Sequence, residues 1–136
     1  MNELFAELIQ SSKYLTLVVE PSLSLSVFRL VPGPKLDRSR YQSNELNDLN
    51  RLFYSRISAR NDILMTQTNV NDVFCIRMAI GAQRTTEKHI REAYDILELE
   101  AKATLDTWKF SIAYSLYLRV SSLQYLLDLL VYPYIS

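Results

Sequence analysis

The 136-residue chain has one cysteine, one histidine and two glycines, and its fifteen basic residues are balanced by fifteen acidic ones. The single cysteine, Cys75, excludes an internal disulfide, and one cysteine with one histidine cannot supply a zinc site of the usual ligand types. Gly33 and Gly81 are too few for a glycine-rich phosphate-binding loop. The net charge of zero gives no global attraction to nucleic acid or anionic lipid.

The sequence also lacks signs of secretion. The N-terminal residues include Glu3 and Glu7 in a helical pattern and no basic segment followed by an apolar core, so we expect no secretory signal and a cytoplasmic location. Cys75 lies in an apolar run, which is typical of a reduced, buried thiol. A catalytic Cys75–His89 pair is therefore disfavoured against a structural role for both residues.

Hydrophobic periodicity predicts seven elements. Their order is helix, strand, strand, helix, strand, strand, helix, which implies one small α+β domain whose sheet is covered by helices. Residues 31–40 contain two of the four prolines and indicate an exposed connection. The predicted helices cover residues 2–11, 43–60 and 86–105, and the predicted strands cover residues 13–20, 22–30, 62–68 and 71–80.

The second and third predicted helices each have one buried face. In the second helix, Asn50 and Arg56 lie off that face. At the start of the third helix, Thr85 is the expected N-cap, and farther along Glu98 and Lys102 have the spacing of a favourable ion pair. The buried faces are formed by Leu46, Leu49, Phe53 and Ile57 in the second helix and by Ile90, Ala93, Tyr94, Leu97, Ala101 and Leu105 in the third.

Arg77 places a charge in the middle of an apolar strand. Burying an unpaired charge is unfavourable, so two interpretations are open. Arg77 is either solvated on the outer face of the sheet or placed at an interface with another domain. Strand alternation puts Val73, Cys75 and Ala79 on the Arg77 face and Phe74, Ile76, Met78 and Ile80 on the face that we expect to meet the helices.

Several segments between about residue 14 and residue 105 together resemble the C-terminal part of the group II pyridoxal-phosphate-dependent decarboxylases. This is the family of the aromatic-L-amino-acid, tyrosine and histidine decarboxylases. No single segment is specific, but their combination is. The matching residues are Phe28-Arg29-Leu30, Ile76-Arg77-Met78-Ala79, Thr85-Thr86, His89 and the helix from Tyr94 to Ala101.

The resemblance implies that residues 1–107 form the C-terminal small domain of a fold-type-I enzyme, an antiparallel sheet with helices on one face. The other face would look toward the large domain that binds pyridoxal phosphate. Arg77, Gly81, Thr85 and His89 would then be structural residues near the domain junction. No residue of this chain would be catalytic, cofactor-binding or metal-binding.

The family's cofactor lysine has no counterpart here. In the family that lysine follows a histidine, whereas none of the five lysines of this chain does, and Lys88-His89 has the reverse order. Decarboxylation with this cofactor needs the lysine and the electron sink that it holds in place. We therefore expect that the chain alone binds no pyridoxal phosphate and is inactive.

Residues 108–136 lie outside the resemblance and form a predicted apolar, tyrosine-rich helical tail. Arg119 and Asp128 are the only charged residues between positions 110 and 131. Three interpretations are open: a helix lying on the domain or forming an oligomer contact, a transmembrane helix that the charges disfavour, and an extension not native to the domain.

Two functions remain open. In the first, the chain is the C-terminal portion of a cytoplasmic amino-acid decarboxylase, a homodimeric carboxy-lyase for aromatic amino acids. In the second, it is a non-catalytic interaction module that docks on a full-length paralogue. The expected partner is therefore a large cofactor domain or a paralogue, and neither nucleic acid nor a membrane is expected.

Overall fold

A computed structural model gives the structure of the chain and describes residues 1–22, 24–32, 43–80 and 85–131. The order of helices and strands is the predicted one. Packing divides the chain into two units, Met1–Leu105 and Asp106–Ser136. The elements are α1 (Asn2–Ser11), β1 (Leu15–Leu17), β2 (Leu25–Leu30), α2 (Ser43–Ser58), β3 (Thr66–Val70), β4 (Val73–Ala79) and α3 (Glu87–Val131).

The four strands form one antiparallel sheet in the order β1-β2-β4-β3. A two-residue turn joins β3 to β4, with φ of 50° at Asn71 and 65° at Asp72. Asn and Asp tolerate this left-handed region, and such turns match the twist of paired strands. The turn sets Val70 opposite Val73 and thereby fixes which side chains of β3 and β4 share a face.

The inner face of the sheet carries the core of the first unit. Phe5 of α1 packs edge-to-face on Phe28 of β2 with ring centroids 5.6 Å apart, and Tyr54 of α2 packs on Phe74 of β4 at 6.2 Å. The predicted helix-facing side of β4 is confirmed, although Met78 is only half-buried. Helix residues buried in this core include Leu49, Phe53 and Ile57 of α2 and Ile90, Leu97, Ala101 and Leu105 of α3.

Two asparagines of α2 hydrogen-bond to the sheet backbone. Asn50 is fully buried; its Oδ1 accepts the Leu30 N–H at 2.7 Å and its Nδ2 donates to the Leu30 carbonyl at 3.0 Å. Asn47 accepts the Phe74 N–H at 2.9 Å and donates to the Asp72 carbonyl at 3.0 Å. The placement of Asn50 off the buried face was wrong, because a buried amide is favourable where it pairs with backbone groups.

All four strands are shorter than predicted, and β3 also begins and ends later in the chain than its predicted range. At the start of β1, the Ser12 hydroxyl accepts the N–H groups of Tyr14 and Leu15, both at 3.1 Å, so the chain turns there before it extends. The predicted strand at residues 62–68 begins only at Thr66, and Asp62 in the segment before it forms an ion pair with Arg60. Most of the predicted connection at residues 31–40 lies outside the described residues.

In the second unit, α3 continues to Val131. Leu118, Val120 and Leu123 are exposed there, with 47%, 63% and 61% of their surface accessible. Within the described ranges, no helix has the length and apolar character needed to cross a bilayer.

Candidate docking surface

The outer face of the sheet is the side opposite α1 and α2, and Arg77 lies near its centre. Strand pairing sets Arg77 opposite Val27 on β2 and opposite Thr66 on β3. Arg77 is exposed, and its Nε donates to the Thr66 hydroxyl at 3.2 Å. Among the described residues it has no ion-pair partner, so its charge is balanced by no neighbouring carboxylate in this part of the chain.

The composition of the outer face is basic and neutral. Alternation and pairing place two arginines on it and no acidic residue from any of the four strands. Of the two arginines, Arg77 is exposed and Arg29 is half-buried, so the Arg77 guanidinium is the one able to bind carboxylate or carbonyl oxygens from solvent. The residues of the outer face are Thr16, Leu25, Val27, Arg29, Thr66, Thr68, Val70, Val73, Cys75, Arg77 and Ala79.

Burial varies across the outer face. Val27 is 6% exposed and Cys75 is fully buried, whereas Thr66, Arg77 and Ala79 are exposed. The prediction that Cys75 is a buried thiol is confirmed, and burial raises its pKa, an effect that the positive charge of Arg29 partly offsets. The open part of this face is thus the region around Arg77.

The other predicted junction residues do not share a described contact with Arg77. Thr85 is half-buried and His89 is exposed in the first turn of α3, while Gly81 lies outside the described residues. The N-cap of α3 is Thr86, one residue later than predicted, because the Thr86 hydroxyl accepts the His89 N–H at 3.4 Å. His89 lines a groove of about 540 Å³ together with Arg60 and Asp62.

A charged cluster between α2 and α3 was missed by sequence reasoning. Glu100 is 8% exposed and accepts hydrogen bonds from Arg56 at 2.8 Å and from Arg60 at 2.9 Å. Arg60 also binds both carboxylate oxygens of Asp62 at 2.9 and 2.8 Å. These contacts raise the pKa of Arg60 and lower that of Asp62. Helical spacing from Leu97 places Glu100 near the buried face and was the available signal.

A second contact replaces the predicted Glu98–Lys102 pair. Glu98 accepts a hydrogen bond from the Ser12 hydroxyl at the end of α1, and Lys102 is exposed. The acidic side chain therefore joins two helices instead of stabilising its own helix.

The described residues do not fit a pyridoxal-phosphate site. Such a site needs a lysine in a sheltered pocket to form the imine, and cationic or backbone donors for the phosphate. Lys13, Lys88 and Lys102 are all exposed, and Lys88 lies 3.8 Å from Glu92 in a surface pair. The described part of the chain likewise contains no group of three or more histidine, cysteine or acidic side chains able to hold a metal ion.

Comparison with known proteins gives a consistent set of relatives. No protein-family profile matches the chain. A phenylacetaldehyde synthase from a Rosa hybrid cultivar is 31% identical over 111 residues, which are 79% of this chain and 22% of that protein. Tryptophan decarboxylase TDC2 from Camptotheca acuminata is 32% identical over 105 residues, 77% of this chain and 20% of that protein.

Solved structures show the same fold. Tryptophan decarboxylase from Catharanthus roseus in complex with L-tryptophan aligns with a TM-score of 0.65 and 26% identity, covering 76% of this chain and 20% of that one. Oryza sativa TDC with PLP and tryptamine aligns with a TM-score of 0.67 at 19% identity, over 76% of this chain and 21% of that one. The chain thus spans about a fifth of the length of the relatives that it matches.

The sequence matches and the structural matches both lead to enzymes of aromatic amino acids, and each covers about three quarters of this chain. The chain matches a fragment of the group II pyridoxal-phosphate-dependent amino-acid decarboxylases, and its fold matches the C-terminal small domain of these fold-type-I enzymes.

Proposed function

We propose that residues 1–107 act as the C-terminal small domain of a pyridoxal-phosphate-dependent carboxy-lyase for aromatic amino acids. The observation that carries this proposal is the match to aromatic amino-acid enzymes over about three quarters of the chain. These relatives comprise decarboxylases and phenylacetaldehyde synthases, and both kinds are named for aromatic substrates or products. The shared feature is the aromatic side chain, so the proposal names that substrate class.

The docking surface that we propose for the large domain is the outer face around Arg77. The inner face is occupied by α1 and α2, whereas Arg77 is exposed and has no ion-pair partner among the described residues. Docking would place a carboxylate or carbonyl oxygen of the large domain against the guanidinium group, which binds such groups in a planar, bidentate geometry. Arg77 would act as a positioning residue at the junction.

The isolated chain, in this proposal, performs no decarboxylation. The large domain supplies the imine lysine and the phosphate site, because no described lysine of this chain is sheltered. We also propose that the assembled enzyme is a cytoplasmic homodimer and that residues 108–136 form a separate tail.

The first test is the mass of the native protein, measured by immunoblot with an antibody against residues 85–105. We expect a band several-fold heavier than 15.8 kDa, and decarboxylase activity on an aromatic amino acid in the material that the antibody precipitates. A band at 15.8 kDa that co-precipitates a full-length paralogue would support the interaction module instead. A purified 136-residue chain that forms an imine with pyridoxal phosphate and releases CO2 would overturn the proposal.

The second test addresses Arg77 directly. Arg77→Ala should leave the unfolding midpoint of the 136-residue chain unchanged and weaken the association between the small and large domains in the assembled enzyme. Arg91→Ala is the matched control, because Arg91 is also exposed but lies on α3, away from the sheet. Equal effects of both variants on association would refute the proposed role of Arg77 at the junction.

A further inference from the structure

The first turn of α3 is closed by a reciprocal pair of hydrogen bonds between Thr86 and His89. The Thr86 N–H donates to Nδ1 of His89 at 3.2 Å, and the His89 N–H donates to the Thr86 hydroxyl at 3.4 Å. The Thr86 carbonyl accepts the first helical hydrogen bond, from the Ile90 N–H at 3.2 Å. This is a capping box in which histidine takes the place of the usual Glu or Gln.

The histidine makes the capping box dependent on protonation. Only an unprotonated Nδ1 can accept the Thr86 N–H, and an imidazolium ion has no acceptor left. Its positive charge would also lie at the positive end of the helix dipole, which is unfavourable. The cap therefore depends on the protonation state of the His89 ring.

A groove beside His89 offers the protonated ring other partners. Asp62, from the segment after α2, and Glu92 and Asp95, from α3, line this groove, and all three are exposed acidic residues. Arg60 is the basic residue in the lining, and its charge is offset by hydrogen bonds to Asp62 and Glu100. Nearer the helix start, Glu87 pairs with Arg91 and Lys88 pairs with Glu92.

We propose that His89 is a proton-operated switch at the start of α3. The neutral ring caps the helix through Thr86, and the protonated ring leaves the cap and pairs with the carboxylates of the groove. Protonation therefore moves the ring from the Thr86 cap to the groove carboxylates and weakens the hydrogen bonding of the first turn of α3. This inference concerns the fold of the chain and does not rest on the proposed enzymatic role.

The test is a pH titration of the 15N-labelled 136-residue chain by NMR. The Thr86 amide resonance should shift with the same midpoint as the ring protons of His89. Hydrogen exchange of the Ile90 amide, corrected for its intrinsic pH dependence, should rise about fivefold below that midpoint, the change expected when a helix cap is lost. Independence of the Thr86 and Ile90 amides from the His89 titration would overturn the proposal.

Two variants separate the switch from a purely structural cap. His89→Gln retains an acceptor at the capping-box position and has no proton to gain, so its Thr86 and Ile90 amides should be insensitive to pH in the range of the wild-type titration. His89→Ala should show the faster Ile90 exchange at every pH. A His89→Gln variant that keeps the wild-type pH dependence would also refute the switch.

Discussion

Replacing Asn50 by alanine tests whether side-chain amides hold α2 on the sheet. The recorded pairing of β2 with β4 runs as far as Phe28 opposite Ile76. If the register continued for two more residues, Leu30 would lie opposite Phe74. The Leu30 backbone binds the Asn50 side chain instead, and the Phe74 N–H binds the Asn47 side chain. Leu30 pairs with Leu15 of β1 on one side, and Asn50 takes the place of a β4 partner on the other.

The magnitude follows from the groups that the substitution leaves without partners. Asn50→Ala removes the acceptor of the Leu30 N–H and the donor to the Leu30 carbonyl, both in buried contacts. A buried polar group without a partner costs about 1–3 kcal/mol, so the two together predict a loss of about 2–6 kcal/mol. Because domains of this size are stable by about 5–15 kcal/mol, the loss is a large fraction of the total.

The assay is urea unfolding of the wild-type chain and the variant, together with hydrogen exchange of the Leu30 amide. Asn61→Ala is the matched control; Asn61 is exposed, and its replacement should change stability by less than about 0.5 kcal/mol. Asn50→Asp keeps the shape and the Oδ1 acceptor but loses the donor to the Leu30 carbonyl, so it should also destabilise the fold.

The reasoning would be refuted if Asn50→Ala unfolded at the same urea concentration as Asn61→Ala. It would also be refuted if the Leu30 amide kept its wild-type protection in the Asn50→Ala variant, because another group would then satisfy that N–H.

Two further outcomes concern titrating side chains. Burial raises the pKa of Cys75, so the thiol should react with iodoacetamide at least about a hundredfold more slowly in the folded chain than in urea; equal rates would contradict its burial. Arg60 lowers the pKa of Asp62, so the stability from this carboxylate is complete above the ordinary pKa of 3.8 and is lost as pH falls through the lower folded value. Asp62→Asn should flatten this acid dependence of the urea midpoint, and an unchanged slope would exclude the ion pair as its source.

The order of elements could be predicted because it depends on local periodicity. The apolar residues of α2 recur at helical spacing, and those of β4 alternate. In each case the spacing indicates the type of element and the face that is buried. Strand ends were less predictable. β1 begins two residues later than predicted, after the turn in which the Ser12 hydroxyl accepts two backbone N–H groups. β3 begins four residues later than predicted, after the segment in which Asp62 contacts Arg60.

Polar contacts between elements could not be predicted from periodicity. Glu98 has a suitable partner four residues away in Lys102, yet it binds Ser12 on another helix. Asn50 has no apolar character, yet it is fully buried because its partners are backbone groups of β2. In both cases the decisive partner is distant in sequence, and a local pattern carries no information about it.

Arg56, Arg60 and Arg77 also differ from what their local sequence suggests, because each contacts a residue distant in sequence. Arg56 and Arg60 lie on polar stretches that suggest solvent, but both bind the nearly buried Glu100, so their charges serve the stability of the domain itself. Arg77 lies in an apolar strand that suggests burial, yet it is exposed and, among the described residues, bonded to the neutral Thr66 hydroxyl. A charge in a strand disfavours burial in the core, and among the described residues the Arg77 guanidinium has no carboxylate partner. Solvation of Arg77 and docking of a partner carboxylate both agree with this exposure, and the Arg77→Ala association measurement distinguishes them.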